Sequence, residues 1–238
     1  MIRRLILAIF ALCLAGGALA GQVDQIRLEQ HQCYGWCPID QLVLRADGSA
    51  EYSGLAHVKR YGDYAAHFQP GDLNTLADFI DAHGFERLLA TIGGDGFDAP
   101  WQVVSISRGG VTKSVTVQHY ERPTPLDEVV ERLVAFGASL PWKAVDSGID
   151  ARVLAGWSQQ KPRLPSELHL NYNVEFTREG ALIEMSYALQ PDSAGRLHLP
   201  LRPGTYTVSY YDAKQTLVVR PHTFSRETLV FLIEPPQR

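Results

Sequence analysis

The chain has 238 residues, 45% of them hydrophobic and 20% charged, with a formal charge of −4. That is the composition of a globular protein, and the length suits two domains of ordinary size. No basic stripe or Lys/Arg cluster appears, so the phosphate neutralisation on which nucleic-acid binding rests has no support.

Residues 1–20 have the three-part layout of a secretory signal. Arg3 and Arg4 give a positive start, Leu5 to Leu14 is apolar, and Ala18-Leu19-Ala20 is a small-x-small cleavage site. Cleavage after Ala20 leaves 218 residues and, without the two arginines, a formal charge of −6. The apolar run is too short to span a bilayer comfortably, and no other segment approaches its length. The expectation is a periplasmic or secreted protein with no transmembrane segment in its mature form. Leu12 before Cys13 argues against lipoprotein processing, which wants a small residue there.

Ile26 to Glu29 reads as a strand, followed by the loop Cys33-Tyr34-Gly35-Trp36-Cys37-Pro38. Gln41 to Arg45 is a second strand, Ala46-Asp47-Gly48-Ser49 a hairpin turn, and Ala50 to Tyr52 a third strand. Gly54 ends that strand or marks a bulge. His57 to Phe68 reads as extended, with alternating polar and apolar residues. Leu73, Leu76, Phe79 and Ile80 fall on one stripe and predict a helix from Pro70 or Gly71 to His83, with Gly84 at the C′ position. Gly93 to Gly96 is an irregular loop. Trp101–Ser107 and Val111–Gln118 form a hairpin around Arg108-Gly109-Gly110. A second helix starts with Thr124 as N-cap and Pro125 at N1, buries Leu126, Val129, Val130 and Leu133, and ends near Pro141.

Gln159 to Pro165 is polar, charged and twice interrupted by proline, which is a linker composition. Beyond it the pattern is strands alone: Leu168–Phe176, Ala181–Leu189, Gly204–Tyr211 and Thr228–Ile233, with turn residues between them. The predicted fold is therefore an α+β domain over 22–159, a mainly antiparallel sheet with two helices on one face, followed by an all-β sandwich over 161–238.

Two stretches carry resemblances. The Cys33–Pro38 loop, the Leu42-Val43-Leu44 strand, the Asp47-Gly48 turn and Glu51-Tyr52-Ser53-Gly54 resemble an exported bacterial family of unknown function with a Cys-aromatic-Gly-x-Cys-Pro loop. Asp98 and Pro100 look like that family's recurring Asp-x-Pro, and Asp40 departs from it, standing where a tyrosine or other bulky residue is usual. The family implies a fold and no mechanism. Leu201-Arg202-Pro203-Gly204-Thr205-Tyr206 resembles a prealbumin-like or carboxypeptidase-regulatory-type sandwich. In that core, Pro203 and Gly204 turn the chain while Leu201 and Tyr206 pack inside.

Cys33 and Cys37 are the only cysteines left after signal removal, and in an oxidising compartment a small structural disulfide is the simplest reading. A redox-active pair is the sharper one, although thiol oxidoreductases usually have two intervening residues at a helix N-terminus and here there are three between strands. His31 with the two cysteines would make an incomplete metal site. The single Gly93–Asp98 stretch opens like a calcium nonapeptide, which works only in tandem copies. Ser105, His119 and Asp98 make a conceivable triad of the sort any chain this long offers. No metal or cofactor is expected. Tyr34 and Trp36, with Tyr61 and Tyr64 nearby in sequence, suggest a recognition surface on a clamped loop. The functional expectation is a non-enzymatic envelope binding module whose partner is an unidentified envelope protein or ligand. The alternatives are a thiol-disulfide protein using Cys33 and Cys37, or a hydrolase with a dispersed site.

Overall fold

The computed structural model describes residues 22–33, 35–93, 100–118, 124, 126–158, 160–168, 173–180 and 186–234. Residues 1–21, where a signal is expected, Tyr34, Gly94 to Ala99, His119 and Pro125 fall outside the described residues.

The first part of the chain builds an eight-stranded sheet from β1 (Val23–Gln30), β2 (Ile39–Arg45), β3 (Ser49–Ala56), β4 (Gly62–His67), β5 (Thr91–Ile92), β6 (Trp101–Arg108), β7 (Val111–Gln118) and β8 (Lys143–Ala144). Their order is β5-β7-β6-β1-β2-β3-β4-β8, antiparallel throughout except for β5 beside β7. Strand alternation puts Ile26, Leu28, Leu42, Leu44, Val104, Ile106, Val115 and Val117 on one face, and all are buried there. Two helices, α1 (Pro70–Ala82) and α2 (Asp127–Ser139), cover that face with Leu73, Leu76, Ile80, Val129 and Leu133. Both follow the predicted stripes. Thr124 contributes at the start of α2: its hydroxyl donates to Asp127 and accepts from the Leu126 N–H.

The predicted third strand is longer than expected and runs to Ala56. Gly54 does not end it. The register against β2 shifts between Ile39 and Asp40, leaving Leu55 as the extra residue. A Cβ on Gly54 would lie 1.8 Å from the Arg60 carbonyl oxygen, so glycine admits the 57–60 loop that folds back over the strand. The stretch expected to be extended from His57 accordingly bends through residues 57–60 before β4 begins.

The remaining strands are β9 (Gly148–Trp157), β10 (Val174–Arg178), β11 (Ser186–Leu189), β12 (Arg196–Pro200), β13 (Gly204–Tyr210), β14 (Ala213–Val219) and β15 (Phe224–Ile233). They form a four-stranded sheet, β11-β10-β13-β14, and a three-stranded sheet, β12-β9-β15, in which β9 and β15 run parallel. Residues of both sheets share a second buried cluster, with Phe176, Tyr206, Val208 and Tyr210 from one, and Ile149, Val153, Leu199 and Phe231 from the other. Leu201 and Tyr206 are fully buried, as the Leu-x-Pro-Gly-x-Tyr pattern implies, and the Tyr206 hydroxyl donates to the Arg202 carbonyl.

The change of core comes earlier than the predicted boundary at 159–161. Ile149, Ala151, Val153 and Ala155 of β9 already belong to the second cluster. The proline-interrupted stretch is not a free tether either. β12 covers only the first half of β9, and Arg163 takes the vacant edge further on, exchanging two backbone hydrogen bonds with Ala155 at 2.7 and 2.8 Å.

Candidate functional site

Two loops meet at one end of the large sheet. The first joins β1 to β2 and is closed by the Cys33–Cys37 disulfide, with the two Cα atoms 5.7 Å apart. Pro38 then feeds the chain into β2. The second is the 57–60 loop between β3 and β4, where His57 takes a left-handed conformation and donates its backbone N–H to the Tyr61 hydroxyl at 3.1 Å. Trp36, at the tip of the first loop, stands edge-on to the His57 ring with 4.8 Å between centroids. It is 85% exposed, the most exposed large hydrophobic among the described residues.

The junction separates two clefts. On the helix side lies one of about 400 Å³, walled by Leu28, Leu42, Val134, Ala138 and Trp142. Pro38 of the cross-linked loop forms part of its rim, and so do Lys59 and Arg60. Asp40 and Tyr52 lie at its base. Asp40 shares the helix-facing row of the sheet with Gln102 and Gln30, because cross-strand pairing sets those three residues abreast. Gln102 donates to Gln30, Gln30 donates to one Asp40 oxygen at 2.9 Å, and the Tyr52 hydroxyl donates to the other at 3.1 Å. Asp40 is 9% exposed. Burial pushes its carboxyl above the usual range, and the two neutral hydrogen bonds only partly oppose that. The Tyr52 phenol is pushed up strongly, first by burial and then by the neighbouring carboxylate. The Tyr52 and Trp142 rings lie 5.7 Å apart.

The second cleft, of about 550 Å³, lies between Trp36, His57 and Tyr61 on one side and Gln190, Arg196 and His198 on the other. His198 is held by Asp150 at 2.6 Å and stacks on Phe224. This groove therefore has one wall from the two loops of the large sheet and the other from the chain beyond β11 and from β12.

The aromatic residues expected to form one surface divide. Trp36 is displayed, and Tyr61 is half-buried against the second core while still reaching the groove. Tyr64 lies on the opposite face of the sheet, abreast of Tyr52, and donates its hydroxyl to the Tyr61 carbonyl. Strand alternation is the reason: Tyr61 precedes β4 on one side and Tyr64 points to the other. Tyr34 and Asp98 lie outside the described residues, and Pro100 is half-buried just before β6.

His31 and the two cysteines, weighed as a metal site, have partners of their own. His31 stacks on Trp101 at 3.4 Å and contacts Glu29, while the two cysteines are bonded to each other. Burial penalises the Glu29 charge, but hydrogen bonds from His31 and Arg27 outweigh it and hold that carboxyl below the usual range. Among the described residues no cluster of three or more His, Cys, Asp or Glu side chains suits a metal ion. Ser105 bonds the Ser114 hydroxyl at 2.8 Å. His119 and Asp98, its proposed triad partners, lie outside the described residues.

Sequence reading missed Asp40, Tyr52 and Trp142 as a group. One signal was available: a carboxylate at the apolar parity of β2, where Leu42 and Leu44 follow it on the same face.

The architecture defines a β-rich protein with two helices on its largest sheet and a disulfide-closed loop at that sheet's end. Residues 24–136 match the family described as Domain of unknown function (DUF6438). The match takes in both loops and most of α2, and stops short of Trp142 and of β9 to β15. No curated protein matches the chain.

Proposed function

We propose that this is an exported, non-enzymatic binding module of the bacterial cell envelope. Its first part acts as an α+β recognition domain and its second as a β-sandwich docking or spacer unit. The observation that carries the reading is Trp36: a large aromatic side chain, 85% exposed, on a loop whose backbone a disulfide restrains. Ordering such a side chain at an interface costs little entropy, because its loop is already restricted and tryptophan has few rotamers. The groove beside it, with Tyr61, His57, Arg196 and His198, offers a partner mixed apolar and polar contacts.

A photo-crosslinking residue placed at position 36 of the full chain, in its native envelope, tests this. The control is the same residue at Val111, which is 73% exposed and far along the sheet. The expected result is an adduct of discrete mass from position 36 that is missing from position 111. Identical adducts from both positions, or none from 36, would end the proposal.

A further inference from the structure

We propose that the cleft above Asp40 binds a small organic cation, a single protonated amine on an apolar body of about phenylethyl size. This is a separate site from the Trp36 surface and does not depend on it.

The argument begins with an imbalance of charge. Asp40 lies almost out of solvent, and its two hydrogen-bond partners, Gln30 and Tyr52, are both neutral. Among the described residues no cation pairs with it: Lys59 and Arg60 stand at the rim of the cleft, and both are exposed. A buried carboxylate is costly without a cationic partner. An ionised carboxylate also has about four lone-pair sites, and among the described residues two hydrogen bonds reach the Asp40 carboxylate. The unmet demand is for a charged donor arriving from the cleft.

The surroundings specify the rest of that ligand. A volume of about 400 Å³ falls within the range of small-molecule sites. Its walls of Leu28, Leu42, Val134 and Ala138 suit an apolar body. Tyr52 and Trp142, with rings 5.7 Å apart, also line the cleft, and aromatic faces attract ammonium groups. Lys59 and Arg60 at the mouth oppose a second positive charge, so a monoamine fits and a diamine does not. Gly137 lets α2 approach within contact of Leu42, and the disulfide loop fixes Pro38 at the rim.

The test uses the full chain and three probes of nearly one shape: 2-phenylethylamine, 2-phenylethanol and 3-phenylpropionate. Binding is followed by calorimetry and by intrinsic fluorescence. The amine is expected to bind at one site per chain, with the alcohol and the acid at least about tenfold weaker. Asp40→Asn keeps the shape and removes the charge, and should weaken the amine by at least about tenfold while leaving the alcohol unchanged. Ala138→Phe occupies the cleft from an exposed position on α2 and should abolish amine binding with Asp40 intact. Equal affinity for amine and alcohol, stronger binding of the acid, an unaffected Asp40→Asn variant, or no amine binding up to about 10 mM would each overturn the proposal. Should Asp40→Asn fail to fold, the probe series and Ala138→Phe decide alone.

Discussion

Asp40 shows how one residue sets a cost and a use together. Its folded carboxyl holds a proton more tightly than the unfolded chain does, because burial disfavours the charge. The folded state therefore binds more protons, so the Asp40 contribution to stability falls as pH rises from the unfolded value toward the folded one, and levels off above it. Asp40→Asn never ionises. It should remove this part of the pH slope and melt at a higher temperature than the parent at neutral pH, which thermal unfolding between pH 4 and 8 will show. The cysteines make the opposite case, in which covalent chemistry is local and inexpensive. A five-residue loop restrains little unfolded-chain entropy, so Cys33→Ser with Cys37→Ser should cost about 2 kcal/mol or less. If the bond is structural, the oxidised parent should also fail to catalyse insulin reduction by a small thiol.

At the level of elements, the 57–60 loop depends on the absence of a side chain. A Cβ at position 54 would meet the Arg60 carbonyl oxygen at 1.8 Å, too close for backbone atoms to tolerate. Gly54→Ala should therefore destabilise by about 1–3 kcal/mol in urea unfolding. It should also push His57 away from Trp36, altering the tryptophan emission of the folded protein. The helices were legible because apolar stripes at 3.6-residue spacing are a local signal, and the hairpin around Gly109 was legible because turn chemistry is local too. β9 was less so. Its inward residues Ile149, Ala151, Val153 and Ala155 alternate correctly, but its partner β15 runs parallel to it and begins at Phe224. Parallel pairing across such a separation leaves no turn signature between the strands, and the polar stretch after β9 carried the more obvious mark of a boundary.

Across the molecule, the two cores are joined by a buried polar knot. Asp63, 1% exposed at the start of β4, accepts from the Ser53 hydroxyl at 2.6 Å, the Tyr187 hydroxyl at 2.8 Å and the Arg202 backbone N–H at 2.9 Å. The Arg202 guanidinium lies 3.1 Å from it and reaches toward Glu51. Leu55 of β3 belongs to the second cluster, and Gly62 lies so close to Pro200 that a side chain there would clash with its carbonyl. Arg202→Met would leave the Asp63 carboxylate buried without its cation, and should cost about 3–5 kcal/mol in chemical unfolding. Arg202→Lys should recover part of that loss. Since the knot binds one wall of the Trp36 groove to the other, the variant should also weaken any position-36 crosslink.

The sequence alone determined what depends on neighbours along the chain: two helices, most strand positions, the hairpin turns and, from the cysteine count, the sulfur–sulfur bond. Only the tertiary structure decided which residues meet at depth. Asp40 lies beneath a helix that begins 87 residues later, and Asp63 beside a tyrosine 124 residues on. Whether a carboxylate is solvated, paired or left wanting a cation depends on the dielectric and the donors that packing brings to it, and neither is written in its local sequence.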